Sequence, residues 1–206
     1  MQTKTKQLLI LASVLFVVII ALFIVVLSPK QTPPPPMSSE VRLQAYTTSY
    51  TYWDNTPPGS SIIAFTKGDG FPTLHDKAGG TGTYEDPITL AVGHVIEQAT
   101  DTPDFAPGTR FYIPNVRRYF IVEDTCGDGN KPQNIPCHKA EEGNLQVDMW
   151  IDGKDGTVDT VDACASALTE IHTIIKDPAT DYVVVPGSVF ENGKCSEQYG
   201  EEPVKK

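Results

Sequence analysis

Three short segments of this 206-residue chain bring acidic and aromatic side chains together in ways that could do chemistry. Tyr50-Thr51-Tyr52-Trp53-Asp54-Asn55 is an aromatic run ending in a carboxylate. Tyr119-Phe120-Ile121-Val122-Glu123-Asp124-Thr125-Cys126-Gly127 is an apolar run that also ends in acids. Gln146-Val147-Asp148-Met149-Trp150 embeds one acid among apolar residues. In an extended strand Asp148 faces away from Val147 and Met149. Partial burial there raises a carboxyl pKa, which is what a general acid working at neutral pH needs. Two carboxylates in unequal environments are the minimum for cleaving a glycosidic bond. One gives its proton to the leaving oxygen, and the other activates water or stabilises the cation. Flat rings supply platforms for sugars, and Tyr52, Trp53, Tyr84 and Trp150 are the candidates. The plainer reading is that strand aromatics fill a core and that an acid at a strand end caps a turn.

The elements that must position these residues read mostly as short strands. Segments 41–53, 61–66, 88–92, 110–113, 118–122, 145–151 and 182–185 are β-branched or aromatic runs bounded by Gly, Pro, Asn or Asp. Only Thr160 to Ile175 has helical spacing, with Val161, Cys164, Ala165, Leu168, Ile171 and Ile175 recurring at threes and fours. Many short strands with turns between them predict a closed barrel or sandwich with one flanking helix.

Ahead of this domain, residues 8–27 form an unbroken run of 20 apolar or small residues. A helix of that length spans the hydrocarbon core of a bilayer. Lys4 and Lys6 precede it and only Lys30 follows closely, so residues 1–7 stay in the cytoplasm and the rest is exported. Ser28-Pro29-Lys30-Gln31 is a poor cleavage site, which favours an uncleaved anchor over a signal peptide. Residues 28–40, with Pro33-Pro34-Pro35-Pro36, read as a stiff spacer. The folded domain is expected over 41–200, with 201–206 a frayed charged tail. The domain thus lies on the cell surface or the secreted or periplasmic side.

The chain carries a net charge of -10, and dropping Lys4, Lys6 and Lys30 from its 16 basic residues leaves 13 against 26 acidic ones. Such a surface repels phosphate backbones, so no nucleic-acid partner is expected, and it suits neutral or cationic polymers. Four cysteines in an exported domain predict two disulfides. Three pairings are possible. The preferred one makes Cys126–Cys137 a loop staple and Cys164–Cys195 a tie for the C-terminal segment. No Cys-x-x-Cys occurs and His75, His94, His138 and His172 are scattered, so no metal site is expected. Gly79-Gly80-Thr81-Gly82 lacks the Lys-Ser/Thr of a phosphate loop, and no cofactor is expected. Asp152-Gly153-Lys154-Asp155-Gly156 lacks the acid spacing of a calcium hand and reads as a solvated turn. His94, after Gly93, reads as a structural histidine, and Arg117-Arg118 as an exposed pair at a hairpin.

At the acidic segments the chain resembles the exported double-psi β-barrel families. These include expansins, rare-lipoprotein-A-like proteins, family-45 endoglucanases and the three-aspartate domain of lytic transglycosylase A. Pro107-Gly108-Thr109-Arg110-Phe111-Tyr112-Ile113-Pro114, then 119–126, then Val147-Asp148-Met149-Trp150, is similar to the three-aspartate pattern. Gly79-Gly80-Thr81-Gly82-Thr83-Tyr84-Glu85-Asp86-Pro87-Ile88-Thr89 resembles a signature of expansin-like barrels, and the likeness runs from about Tyr46 to Cys195. It implies a six-stranded double-psi β-barrel that binds polysaccharide, either peptidoglycan or a glucan. By that likeness Asp148 is the proton donor, Asp124 belongs to the acidic cluster, and Asp54 of Tyr52-Trp53-Asp54 is the base. Thr83, Tyr84, Tyr52, Trp53 and Trp150 would contact sugar. Two departures stand out. Asn55-Thr56-Pro57-Pro58 occupies the place of paired cysteines in the endoglucanases, and Gln146-Val147-Asp148 that of their His-Phe-Asp.

The expectation is a membrane-tethered domain that cleaves a wall or extracellular polysaccharide, by hydrolysis or by attack of an internal sugar hydroxyl. Two other classes fit the same residues: a non-catalytic wall-loosening module, and a structural or partner-binding ectodomain.

Overall fold

The computed structural model describes residues 40–139 and 143–206. The expected cytoplasmic stretch 1–7, the apolar run 8–27 and nearly all of the spacer lie outside the described residues. Among the described residues no helix is long and apolar enough to cross a membrane.

Six strands close into a barrel: β1 (Val41–Tyr50), β2 (Ile88–Val92), β5 (Arg110–Ile113), β6 (Arg118–Thr125), β7 (Leu145–Trp150) and β8 (Glu170–Lys176). Their order around the wall is β1-β7-β2-β6-β5-β8. The pairing is mixed. β1 runs parallel to β7 and β2 parallel to β6, while the remaining neighbours are antiparallel. Alternate residues from all six strands fill the interior, among them Ala45, Leu90, Phe111, Val122, Val147 and Ile174. Closure removes every free edge from the main sheet, which suits an exposed β-protein.

The C-terminal half of the segment with helical spacing is a strand. Helix α2 (Val158–Leu168), which follows the single-turn α1 (Pro136–Lys139), stops at Thr169, and Glu170–Lys176 runs on as β8. Helical spacing and strand alternation share their apolar positions here. The β-branched Ile171, Thr173, Ile174 and Ile175 favour the strand once β1 and β5 are there to pair with. Thr157 caps α2 through a reciprocal pair with Thr160, and the helix buries Val161, Cys164 and Leu168.

Residues 61–66 and 182–185 do not form the expected strands, and their backbone groups are met one at a time by side chains and by scattered backbone partners. Asp124 accepts from Ala64 N and the Tyr112 hydroxyl donates to Val183 O. Tyr182 stacks on Tyr112, with ring centroids 4.6 Å apart. β1 ends at Tyr50, three residues before the expected boundary, where the chain turns. Two hairpins were not foreseen: β3 (His94–Glu97) with β4 (Thr100–Pro103), and β9 (Phe190–Glu191) with β10 (Lys194–Cys195).

Both disulfides form in the preferred pairing, Cys126–Cys137 and Cys164–Cys195. The tail 201–206 does not fray. Glu201 accepts from His172 and Thr173, and Val183 N donates to Val204 O. Arg118 is not an exposed hairpin residue but is buried, its guanidinium donating to the carbonyls of Val116, Gly187 and Ser188 and to Ser196 Oγ.

Candidate functional site

A row of residues crosses four neighbouring strands of the barrel. In the registers of β1, β7, β2 and β6, Thr48 lies opposite Asp148, Asp148 opposite Ala91, and Ala91 opposite Asp124. A shift of register between Leu90 and Ala91 brings Asp124, rather than Glu123, into this row. The two acids are thus separated only by an alanine, whose methyl leaves the space between them open. Two strand spacings amount to about 9–10 Å between their backbones.

That space is an open cleft of about 480 Å³. Asp148, Asp124 and Ala91 lie along it, Thr48 and Tyr50 of β1 flank the row, and Asp54 and Asp128 come in from the loops. Ile62, Ile63 and Ala64 form one wall. Gly127 and Asp128, in the loop closed by the Cys126–Cys137 disulfide, form another. Among the described residues that line it there are four carboxyl groups and no Lys, Arg or His.

The acids differ in how they are held. Asp148 Oδ1 accepts from the Thr48 hydroxyl at 2.6 Å. Burial pushes the Asp148 carboxyl up to about 7 against that hydrogen bond, and the nearby Asp54 and Asp124 carboxylates add to the rise. Asp124 Oδ1 accepts from Ala64 N and Thr125 N, and its Oδ2 from the Tyr50 hydroxyl at 3.0 Å. Burial lifts it to about 6, and those three donors hold it below Asp148. Asp54 Oδ1 accepts from Thr51 N and Thr51 Oγ1, at 2.6 and 2.7 Å, in the turn that ends β1. The Tyr50 phenol is pushed well up by burial and then by Asp124, so it is a neutral donor. A protonatable acid beside further carboxylates, in a groove open to solvent, can donate a proton to a bound oxygen and steady a developing positive charge.

All three predicted acids, Asp148, Asp124 and Asp54, therefore share one cleft. The predicted sugar platforms do not. Trp150 is buried in the core, edge-on to Tyr50 at 5.1 Å, and is no platform. Tyr84 packs edge-on against Tyr119 under the Arg110 guanidinium, and Thr83 caps the loop by accepting from Asp86 N. Neither Thr83 nor Tyr84 lines the cleft. Tyr52 and Trp53 sit in the turn before Asp54, where the Trp53 indole donates to Gly153 O and Lys154 lies over the Tyr52 ring. Sequence reasoning missed Thr48, Tyr50, Ala91 and Asp128. Thr48 and Tyr50 share a face of β1 by two-residue alternation, but only the register shows that this face meets Asp148.

Among the described residues no group of three or more His, Cys, Asp or Glu side chains is arranged to hold a metal ion. His94 bonds Asp101 and Gly127 O, which is a structural arrangement.

The family model described as "DDB_G0273701 N-terminal domain" matches residues 42–196, which span the barrel and both disulfides. The uncharacterized Dictyostelium discoideum protein DDB_G0273701/DDB_G0273221 is 30% identical over 193 residues, covering 92% of this chain and 68% of that protein. No solved structure matches.

Proposed function

The chain belongs to the DDB_G0273701 N-terminal domain family, and from the residues of its cleft we propose that it cleaves glycosidic bonds in a wall or extracellular polysaccharide. The observation that carries this reading is the row Asp148–Ala91–Asp124, two acids lifted to about 7 and about 6 along an open cleft. Asp148 protonates the glycosidic oxygen. Asp124 or Asp54 steadies the cationic transition state or orients water.

The closed six-stranded barrel with two parallel pairings is compatible with a double-psi barrel, and so with the expansin-like and endoglucanase-like resemblance of the acidic segments. The apolar run 8–27 supports tethering of the domain outside a membrane. Four carboxyls without a cation favour uncharged or amine-bearing glycans over carboxylate-bearing ones such as peptidoglycan, because a cleft lined by one sign of charge repels its like.

The test is product release by the full chain from purified β-glucans, de-N-acetylated hexosamine polymers and peptidoglycan. Asp148→Asn should lower release at least about 100-fold, the usual weight of a general acid. An Asp148→Asn chain as active as the wild type on every digestible glycan ends the proposal. A non-catalytic wall-loosening module is the second reading. It is favoured by the engagement of both Asp124 oxygens and of Asp54 Oδ1 in hydrogen bonds within the protein, which leaves few lone pairs to activate water. Glycan pull-down without any product is its signature.

A further inference from the structure

The two oxygens of Asp148 have unequal surroundings. Oδ1 accepts from Thr48 Oγ1 at 2.6 Å, and Thr48 Oγ1 accepts from Gln146 Nε2 at 3.1 Å. Thr48 is the register partner of Asp148 across β1 and β7. Gln146 stands two residues before Asp148 on the same face of β7 and is only 9% exposed. No group among the described residues donates to Asp148 Oδ2.

The directions of these bonds are fixed by chemistry. A threonine hydroxyl has one hydrogen and accepts through its lone pairs. An ionised carboxylate only accepts, so the Thr48 hydrogen goes to Asp148 and Gln146 must present its NH₂ to Thr48. If Asp148 Oδ1 took up a proton and turned it toward Thr48, the Thr48 hydrogen would need a new acceptor, and the amide nitrogen of Gln146 is not one. The amide pays for this orientation, since Gln146 Oε1 is buried with no hydrogen-bond partner. A flipped amide would bring that oxygen to Thr48 and draw the hydrogen away from Asp148.

We propose that Gln146 is a positioning residue which, acting through Thr48, holds Asp148 Oδ1 as an acceptor and confines the exchangeable proton of the acid to Oδ2. As a statement about catalysis this rests on the glycan-cleaving reading. As a statement about where the proton sits it does not. Oδ2 is the oxygen with no protein donor in its way, so the proton is presented in one orientation, without a rotamer search.

The test is a carboxyl ¹³C NMR titration of Asp148 in the full chain. Thr48→Val removes the donor to Oδ1 and should raise the Asp148 midpoint by about one pH unit, and Thr48→Ser should restore it. Gln146→Leu frees the Thr48 hydroxyl to rotate and should raise the midpoint by a smaller amount. Gln146→Glu both competes for the Thr48 hydrogen and sets a like charge near Asp148, so it should raise the midpoint more than Gln146→Leu, part of the rise being independent of Thr48. Because the effect of Gln146 runs through Thr48, Gln146→Leu should add nothing in a Thr48→Val background. Should Gln146→Leu fail to fold, the uncharged and similarly shaped Gln146→Met carries the same cycle with Thr48→Val, most of its shift vanishing when Thr48 is gone.

A folded Thr48→Val chain with an unmoved midpoint overturns the proposal, as do additive effects of the two positions. Glycan assays separate the two claims. Midpoints that shift as stated in a chain that digests no glycan leave the proton placement standing and remove the catalytic reading. Unmoved midpoints in a chain whose digestion is abolished by Asp148→Asn do the reverse.

Discussion

Glu123 and Asp124 are consecutive on β6, at its register shift against β2, and their surroundings could hardly differ more. Glu123 has no exposure and four donors: Leu74 N and His75 N on Oε1, Thr89 Oγ1 and His75 Nδ1 on Oε2. His75 then reaches Asp86 through Nε2 at 2.9 Å. The hydrogen bond to Glu123 lifts His75 to about 9, against the effect of burial, so at neutral pH it is an imidazolium between two acids. On the other side Asp124 has three donors and sits at about 6, while Asp148 has one and sits at about 7. Both sides bury carboxyl groups. The closed side answers each lone pair and ties the loop 74–86 to the barrel. The open side leaves lone pairs unanswered and lets the protons stay. A fully satisfied acid is architecture, and an under-satisfied one beside a cleft is available for chemistry.

The sharpest way to break this comparison is Glu123→Gln. It keeps an acceptor for Leu74 N and His75 N but sets an NH₂ against the Thr89 hydroxyl and His75 Nδ1 that donated to Oε2, and it removes the counter-charge of a half-buried imidazolium, a loss of about 3 kcal/mol. Urea unfolding at pH 7 measures it, and a loss below about 1 kcal/mol would place Glu123 among surface-like pairs instead.

A smaller effect separates the two sides by pH. Asp148 and Asp124 hold protons in the folded chain that they lose when unfolded, so between about pH 4 and 7 folding is weakened as pH rises. His75 has its folded pKa raised to about 9. Its contribution is whole below its unfolded value of 6.5 and is lost as pH rises through about 9. Both limbs descend, but in different windows. Asp148→Asn should flatten the lower limb by about 2 kcal/mol, allowing for its partial exposure, and leave the upper limb in place. Unfolding free energies measured from pH 4 to 9 decide it, and a lower limb unchanged by Asp148→Asn means that Asp148 titrates normally.

The sequence made the open side legible in part. An acid flanked by Val147, Met149 and Trp150 announces a carboxyl pushed into apolar surroundings, and alternation says which way it points. What it could not carry was register. That Ala91 stands between Asp148 and Asp124 depends on one extra residue in β6, Glu123, at the register shift against β2, which no local pattern displays. The same limit applies to the rings. Trp150 and Trp53 are equally plausible as sugar platforms on paper, yet one is packed on Tyr50 and the other stands in a turn. Short strands and turn residues predict a closed barrel or a sandwich, and the resemblance of the acidic segments points to the barrel. Its sixth strand was hidden because Ile171 and Ile175 satisfy helical spacing and strand alternation equally well. The closed side was illegible. His75, Asp86 and Glu123 are brought together by a loop whose path follows from the hydrogen bonds it makes and from no periodicity.

The smallest predicted effect concerns Tyr84, which by resemblance should touch sugar and by structure belongs to the closed side. Its ring stands edge-on to Tyr119 with centroids 5.3 Å apart, and the Arg110 guanidinium carbon lies 4.4 Å from the Tyr84 centroid. Arg110 also donates to Tyr84 O, and the next loop residues lead to Asp86 and His75. The ring is thus engaged on one edge and one face, neither turned to the cleft. Tyr84→Ala should cost about 1 kcal/mol of stability through the lost aromatic and cation–π contacts, and leave glycan affinity and product release unchanged. Asp54→Asn, at the cleft, keeps an acceptor for Thr51 and should do the opposite, lowering release with little change in unfolding midpoint. If Tyr84→Ala weakens glycan binding tenfold in a fully folded chain, the sugar path extends over the outer face of the barrel. The division between a closed architectural side and an open chemical side would then have to be redrawn to include that loop.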